Sequence, residues 1–224
     1  MLERVDRAGC SLRPARLLEA LRERTADLHT RAERSGIIAD MLHGRASRDG
    51  YVLMLRNLLP VYQALEQQLE RHAGSSTIGQ MVRPELARAG AIEADLTSLS
   101  AEPSALPVLP ATTRYVDAID RAADGDGGRL VAHAYARYLG DLSGGQILRK
   151  LLARSLDLPP DALSFYEFPA IGDIAAFKAE YRAAIDRVGD EIGDFEAVVE
   201  EGATAFQLNI ELSTALQTEA ASLR

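Results

Sequence analysis

Two places in this chain carry residue types that could do chemistry. The first is Gly140-Asp141-Leu142-Ser143-Gly144-Gly145, inside a stretch whose Leu130, Ala134, Tyr138, Leu142, Leu148, Leu151 and Leu152 return at the three- and four-residue steps of a helix. Each glycine costs a helix interior about 1 kcal/mol relative to alanine, so three so close together are a penalty that something must offset. Close packing, a kink or a break between two helices is one offset, and a flat ligand lying on bare backbone is the other. Gly140 and Gly144 fall one turn apart on one face, with Asp141 next to them, so an acid stands beside a smooth strip. The second place is His29, at the edge of an apolar stripe of Leu17, Leu18, Leu21, Leu28 and Ala32. Thr25 lies one turn before it, Glu33 one turn after and Arg22 two turns before. A histidine so placed is either a hydrogen-bonded packing group or a ligand.

Helices must position both groups, because no segment alternates convincingly like a strand and no repeat of fixed period appears. Residues 1–12 read as a flexible tail. A helix starts near Pro14, with Ser11 as a candidate cap, and stops at Ser35-Gly36. A short amphipathic helix follows over 36–44, then a turn over 46–50. The next helix, about 51–72, contains Pro60, which removes one backbone donor and predicts a kink near Leu59. Residues 83–99 form another helix, 101–111 a loop, and Thr112 or Thr113 caps the next helix. Asp124-Gly125-Asp126-Gly127-Gly128 lacks the closing Glu of a calcium loop and reads as a turn. After the glycine-bearing helix, Leu158-Pro159-Pro160 ends the pattern and FYEFPAIGD reads as extended. Helices over about 173–189 and 195–220 complete the chain.

The string Tyr138-Leu139-Gly140-Asp141-Leu142-Ser143-Gly144-Gly145-Gln146 resembles the distal-helix signature of the haem oxygenases, and Leu28-His29-Thr30-Arg31-Ala32-Glu33 resembles their proximal stretch. The resemblance runs from about residue 14 to 216 with its motifs in order. It implies an all-α fold over 13–224, a single-domain multi-helix bundle with haem sandwiched between the helix of His29 and a kinked, Gly-rich distal helix. By the same resemblance His29 is the axial iron ligand, with Glu33 close to its ring, and a single imidazole leaves the opposite iron position open for O2. Arg22, Tyr135, Lys178 and Arg182 match groups that meet the haem propionates. Phe206 and Asn209 match a haem-facing aromatic and its neighbouring amide. Tyr62 matches a distal tyrosine found in part of the family, and a core role fits it equally. Gly140 and Gly144 would guide oxygen sterically toward one meso edge, the α-meso edge by default, while Asp141 orders the waters that deliver protons. The implied products are biliverdin, carbon monoxide and ferrous iron, with electrons supplied from outside by a ferredoxin or a flavin reductase.

Two departures from the family stand out. Ala26 occupies the place of a second proximal lysine, which shifts propionate anchoring onto Arg22, Lys178 and Arg182, and Pro60 replaces a non-proline residue.

Composition bounds the alternatives. A chain of 224 residues with 47% hydrophobic content can bury a full core. With 25 basic and 33 acidic residues the net charge is -8, which argues against a nucleic-acid binder. Cys10 is the only cysteine, so neither an internal disulfide nor a cysteine metal cluster is expected. The N-terminal stretch is charged where a signal peptide is apolar, and no run of about 18 uncharged apolar residues occurs. A soluble, cytoplasmic, monomeric protein of the shorter bacterial form is the expectation. A di-iron bundle would need Glu three residues before histidines, where this chain has Ala26, Asp40, Leu69 and Leu130. His43 and His72 read as surface or solvated groups and His133 as a packed polar group. A haem carrier or sensor would use His29 and the basic groups but has no need of Asp141 beside paired glycines.

Overall fold

The computed structural model describes residues 16–99 and 105–223. The tail over 1–12, Ser11, Cys10 and the helix start near Pro14 lie outside the described residues. Among those residues there are eight α-helices and no strand: α1 Leu17–Glu33, α2 Gly36–Leu42, α3 Arg48–Arg71, α4 Ala89–Ser98, α5 Pro110–Ala122, α6 Leu130–Ser155, α7 Ile174–Glu191 and α8 Phe195–Ser222. The long C-terminal helix organises the others, for α1, α2, α3, α5 and α6 all pack against α8. The expected all-α bundle is therefore the architecture, and the three-glycine segment lies inside one continuous helix, α6.

Side-chain hydrogen bonds decide where several helices begin, and at these points the sequence pattern misleads. The α3 helix starts at Arg48 because the Ser47 hydroxyl accepts from the Gly50 amide, so most of the expected turn over 46–50 is helical. At α5 neither threonine caps. Leu109 is the N-cap, Pro110 takes the first helical position, and the Thr112 hydroxyl instead donates to Asn57 Oδ1 at 2.6 Å. The single helix expected over 83–99 is a 3-10 turn at Pro84–Leu86 followed by α4. It is interrupted at Arg88, where Glu66 Oε1 takes the amides of Arg88 and Ala89 at 2.6 and 3.0 Å.

The segment expected to be extended after α6 contains two 3-10 turns, Pro160–Ala162 and Ser164–Tyr166. Buried Asp95 accepts the amides of Ser164 and Phe165 at 2.7 and 2.9 Å, and buried Arg88 donates to the carbonyls of Phe165 and Glu167 while lying over the Phe168 ring. These bonds satisfy backbone groups that the apolar side chains of Phe165 and Phe168 drag out of water.

Asn57, fully buried on α3, ties the loop before α5 to the core: its amide donates to the carbonyls of Leu53 and Pro107, and its carbonyl accepts from the Leu109 amide and Thr112. Removing these bonds strands buried donors and acceptors. Asn57→Ala should lower unfolding free energy by about 2–4 kcal/mol, read as a lower urea midpoint with an unchanged slope.

Candidate active site

A cavity of about 750 Å³ opens between α1, α6 and α8. From α1 it is lined by Arg22, Thr25, His29 and Glu33, from α6 by Tyr135, Gly140, Asp141 and Gly144, and from α8 by Phe206 and Asn209. Arg182 of α7 reaches its lining, whereas Lys178, one turn earlier on α7, is not among the lining residues. Most groups singled out in the sequence thus converge on one space, although they are spread over four helices.

The glycines of α6 divide into two roles. A Cβ built at Gly140 or Gly144 would meet no described atom within 4 Å, so both present bare backbone to the open cavity. A Cβ at Gly145 would lie 3.2 Å from Cδ1 of Tyr166, so that glycine serves packing. Close packing therefore accounts for Gly145, while Gly140 and Gly144 leave an uncovered strip. The helix absorbs the glycine cost because Tyr138 and Leu142 bury their side chains on its other faces.

On α1 the His29 imidazole is half-exposed and faces the cavity, its Nδ1 3.7 Å from Glu33 Oε1. The Phe206 ring packs beside it with centroids 5.7 Å apart, and the Tyr135 ring follows at 6.2 Å from Phe206. Arg22 is exposed at the rim, two turns before His29.

The acid beside the glycine strip is held from another helix. The Tyr62 hydroxyl of α3, fully buried, donates to Asp141 Oδ2 and accepts from Arg137 Nε and Nη2 at 3.0 and 2.6 Å. Arg137 Nη1 donates to Asn209 Oδ1 at 2.5 Å, and Nη2 lies 3.7 Å from Asp141 Oδ1. Asn209 returns its amide to the Ala205 carbonyl at 3.0 Å. Three helices are thus knotted at one guanidinium.

Burial pushes the Asp141 carboxyl above the ordinary carboxylate range, and Arg137, the Tyr62 hydroxyl and Arg88 pull it partway back. Burial also raises the Tyr62 and Tyr115 phenols, the latter to about 12, so both stay protonated and available as donors. Burial works against the charge of Arg137, but Tyr62, Asp141 and Tyr115 outweigh it and hold its pKa above that of a free guanidinium. Asp141 is therefore an acceptor with one oxygen committed to Tyr62 and a proton affinity above that of a solvated acid.

Arg137, at the centre of this network, is not among the site residues expected from the sequence. Its signal was present: it stands four residues before Asp141, the spacing of a helical ion pair. Tyr62, readable as a distal or a core residue, is both buried and bonded to the acid. His133 is fully buried with Nε2 2.9 Å from Glu201 Oε1, as a packed polar group. His72 departs from expectation, since it is half-buried and its Nε2 bonds the Ala123 carbonyl at 3.0 Å.

Comparison with known proteins gives the family. The family described as heme oxygenase matches residues 15–215. The chain belongs to the haem oxygenase family. It is 39% identical to human heme oxygenase 1 over 209 residues, covering 91% of this chain and 73% of that protein. Among solved structures, the heme oxygenase of Leptospira interrogans superposes with a TM-score of 0.84 at 36% identity, over 90% of this chain and 100% of that one. Heme oxygenase-1 of the cyanobacterium Synechocystis, solved in complex with heme, gives a TM-score of 0.86 at 32% identity, over 93% of this chain and 96% of that one.

Because Arg137 is one of the groups that lower the Asp141 pKa, Arg137→Met should leave the carboxyl protonated to higher pH than in the parent chain. The carboxylic C=O stretch of Asp141, followed in the infrared against an Asp141→Asn blank, should persist at pH values where the parent's has gone.

Proposed function

We propose that this haem oxygenase cleaves its haem substrate at a meso carbon, the α-meso edge favoured, to biliverdin, carbon monoxide and ferrous iron, using O2 and electrons from a separate donor such as a ferredoxin or flavin reductase. The observation that carries the reading is the bare backbone of Gly140 and Gly144 facing the cavity, next to an acid held from behind. A flat macrocycle can lie against such a strip where any side chain would hold it off. The cavity volume and apolar lining suit a tetrapyrrole, and Arg22 and Arg182 at its edge suit the two propionates.

Haem, once bound, supplies the iron that activates O2 for attack on its own ring. The residues of the chain do the rest. His29 is the one imidazole facing the cavity among the described residues and would hold the iron, with Glu33 Oε1 3.7 Å from its Nδ1, so that a small side-chain movement would let the acid fix the tautomer. Phe206 and Tyr135 limit how the imidazole and the ring plane can tilt. Arg22, Tyr135 and Arg182 orient the propionate edge and so select the meso carbon, with Lys178 contributing from just outside the lining.

Gly140 and Gly144 offer the reacting oxygen no acid or base in direct contact. Asp141 acts at one remove, ordering water through the oxygen not committed to Tyr62, while Arg137 and Asn209 keep the carboxyl from turning into the cavity. The domain extends over 13–224 and works as a monomer. None of the described helices is long and apolar enough to cross a membrane.

Titration with haemin should give a Soret band that saturates at equimolar haem. Ascorbate under air, with catalase present, should then convert it to a verdin absorption. A Soret band that persists through reduction would make the chain a carrier instead. His29→Ala should lose the ligated spectrum. Asp141→Ala should bind haem normally yet form verdin at least about tenfold more slowly, with unchanged turnover removing Asp141 from the mechanism.

A further inference from the structure

The segment that carries His29 and Glu33 is a sparsely covered part of the cavity wall. After Thr25, none of residues 26–35 is buried. Only Leu28, Ala32 and Ser35 are even partly covered, so packing along its length holds it weakly and its two ends carry more of that task. At the first end Thr25 is buried, its hydroxyl donating to the Leu21 carbonyl at 2.7 Å, where α1 rests on α8. At the second end the chain turns from α1 into α2 at Gly36, which has φ +62° and sits directly on the backbone of Ser213.

We propose that Gly36 and Ser213 are positioning residues for His29, acting through this contact at the α1–α2 corner. The inference rests on His29 being the iron ligand. A Cβ at Gly36 would run into the carbonyl carbon and oxygen of Ser213, main-chain atoms that cannot rotate aside as a side-chain end could. The left-handed φ independently favours glycine.

Ser213 fastens the corner from both sides. Its hydroxyl donates to the Ser35 carbonyl at 3.2 Å, on the α1 side, and accepts from the Ile38 amide at 3.3 Å, on the α2 side. One turn further along α8, Gln217 donates to Asp40 Oδ2 at 2.7 Å, so α2 is held to the same helix. That helix also carries Phe206, whose ring lies against the His29 imidazole, and Asn209, which holds Arg137. The corner thus refers the ligand segment and the network around Asp141 to one rigid element.

Such a corner predicts more than stability. Ser213→Ala adds no atoms and removes both corner hydrogen bonds. Without haem, amide exchange over residues 28–34 should accelerate roughly five- to tenfold, while the middle of α3 is unaffected. With ferrous haem bound, the iron–histidine stretch in the resonance Raman spectrum should broaden or shift, and the verdin isomer mixture should lose selectivity, at haem saturation. Gly36→Ala should do the same more strongly if it folds.

Unchanged exchange in Ser213→Ala would overturn the proposal. Faster exchange with an unchanged iron–histidine stretch and unchanged isomer ratio would overturn it as well, leaving the corner a structural fastening only. Failure of the parent chain to ligate haem through His29 would show instead in its own spectrum, before any variant is compared.

Discussion

Burying the Arg137 guanidinium sets terms that three helices have to meet. A cation withdrawn from water is tolerable only when its donors are met and its charge is balanced. Here Tyr62 comes from α3, Asn209 from α8, and Asp141 from the next turn of α6 itself. Each partner is in turn committed: the Tyr62 hydroxyl to Asp141, the Asn209 amide to Ala205. Removing one member would leave another buried and unpaired, so the arrangement is far stiffer than its separate hydrogen bonds suggest. The useful result is that the acid next to the bare glycine strip cannot swing onto whatever lies there.

The opposite condition holds across the cavity. His29 and Glu33 sit on a stretch of α1 with no fully buried residue, with the imidazole half-exposed and bounded on one side by Phe206. One wall is therefore over-determined and the other is fixed at its ends. This asymmetry leaves the His29 side of the cavity loosely covered and the Asp141 side firmly braced. The helix α8 reconciles the two, since the buried network and the α1–α2 corner both refer to it.

Small residues matter in this fold for different reasons at different places. Gly140 and Gly144 leave a strip open, Gly145 lets Tyr166 pack closely, and Gly36 makes a left-handed turn against another main chain. In the sequence these positions look alike. Only the neighbours that three-dimensional packing brings up distinguish an empty strip from a tight contact.

What the sequence by itself determined was everything that depends on local period and residue type. Helical spacing makes α6 one long element, puts Gly140 and Gly144 on one face, and sets Arg22, His29 and Glu33 along one side of α1. The string from Tyr138 to Gln146 was specific enough to indicate the family. Helix starts at Arg48, Ala89 and Pro110 were less legible, because Ser47, Glu66 and Asn57 set or brace them, and the last two are distant in the chain. The tertiary structure alone decided that Tyr62 and Asn209 would meet at Arg137, that Arg88 and Asp95 would fold the segment after α6 into turns, and that Arg182 but not Lys178 would reach the cavity lining. The physical reason is common to the network and the turns. A buried polar group must find its partner wherever the packing of apolar faces happens to bring one, and sequence spacing carries no record of partners separated by 70 or more residues.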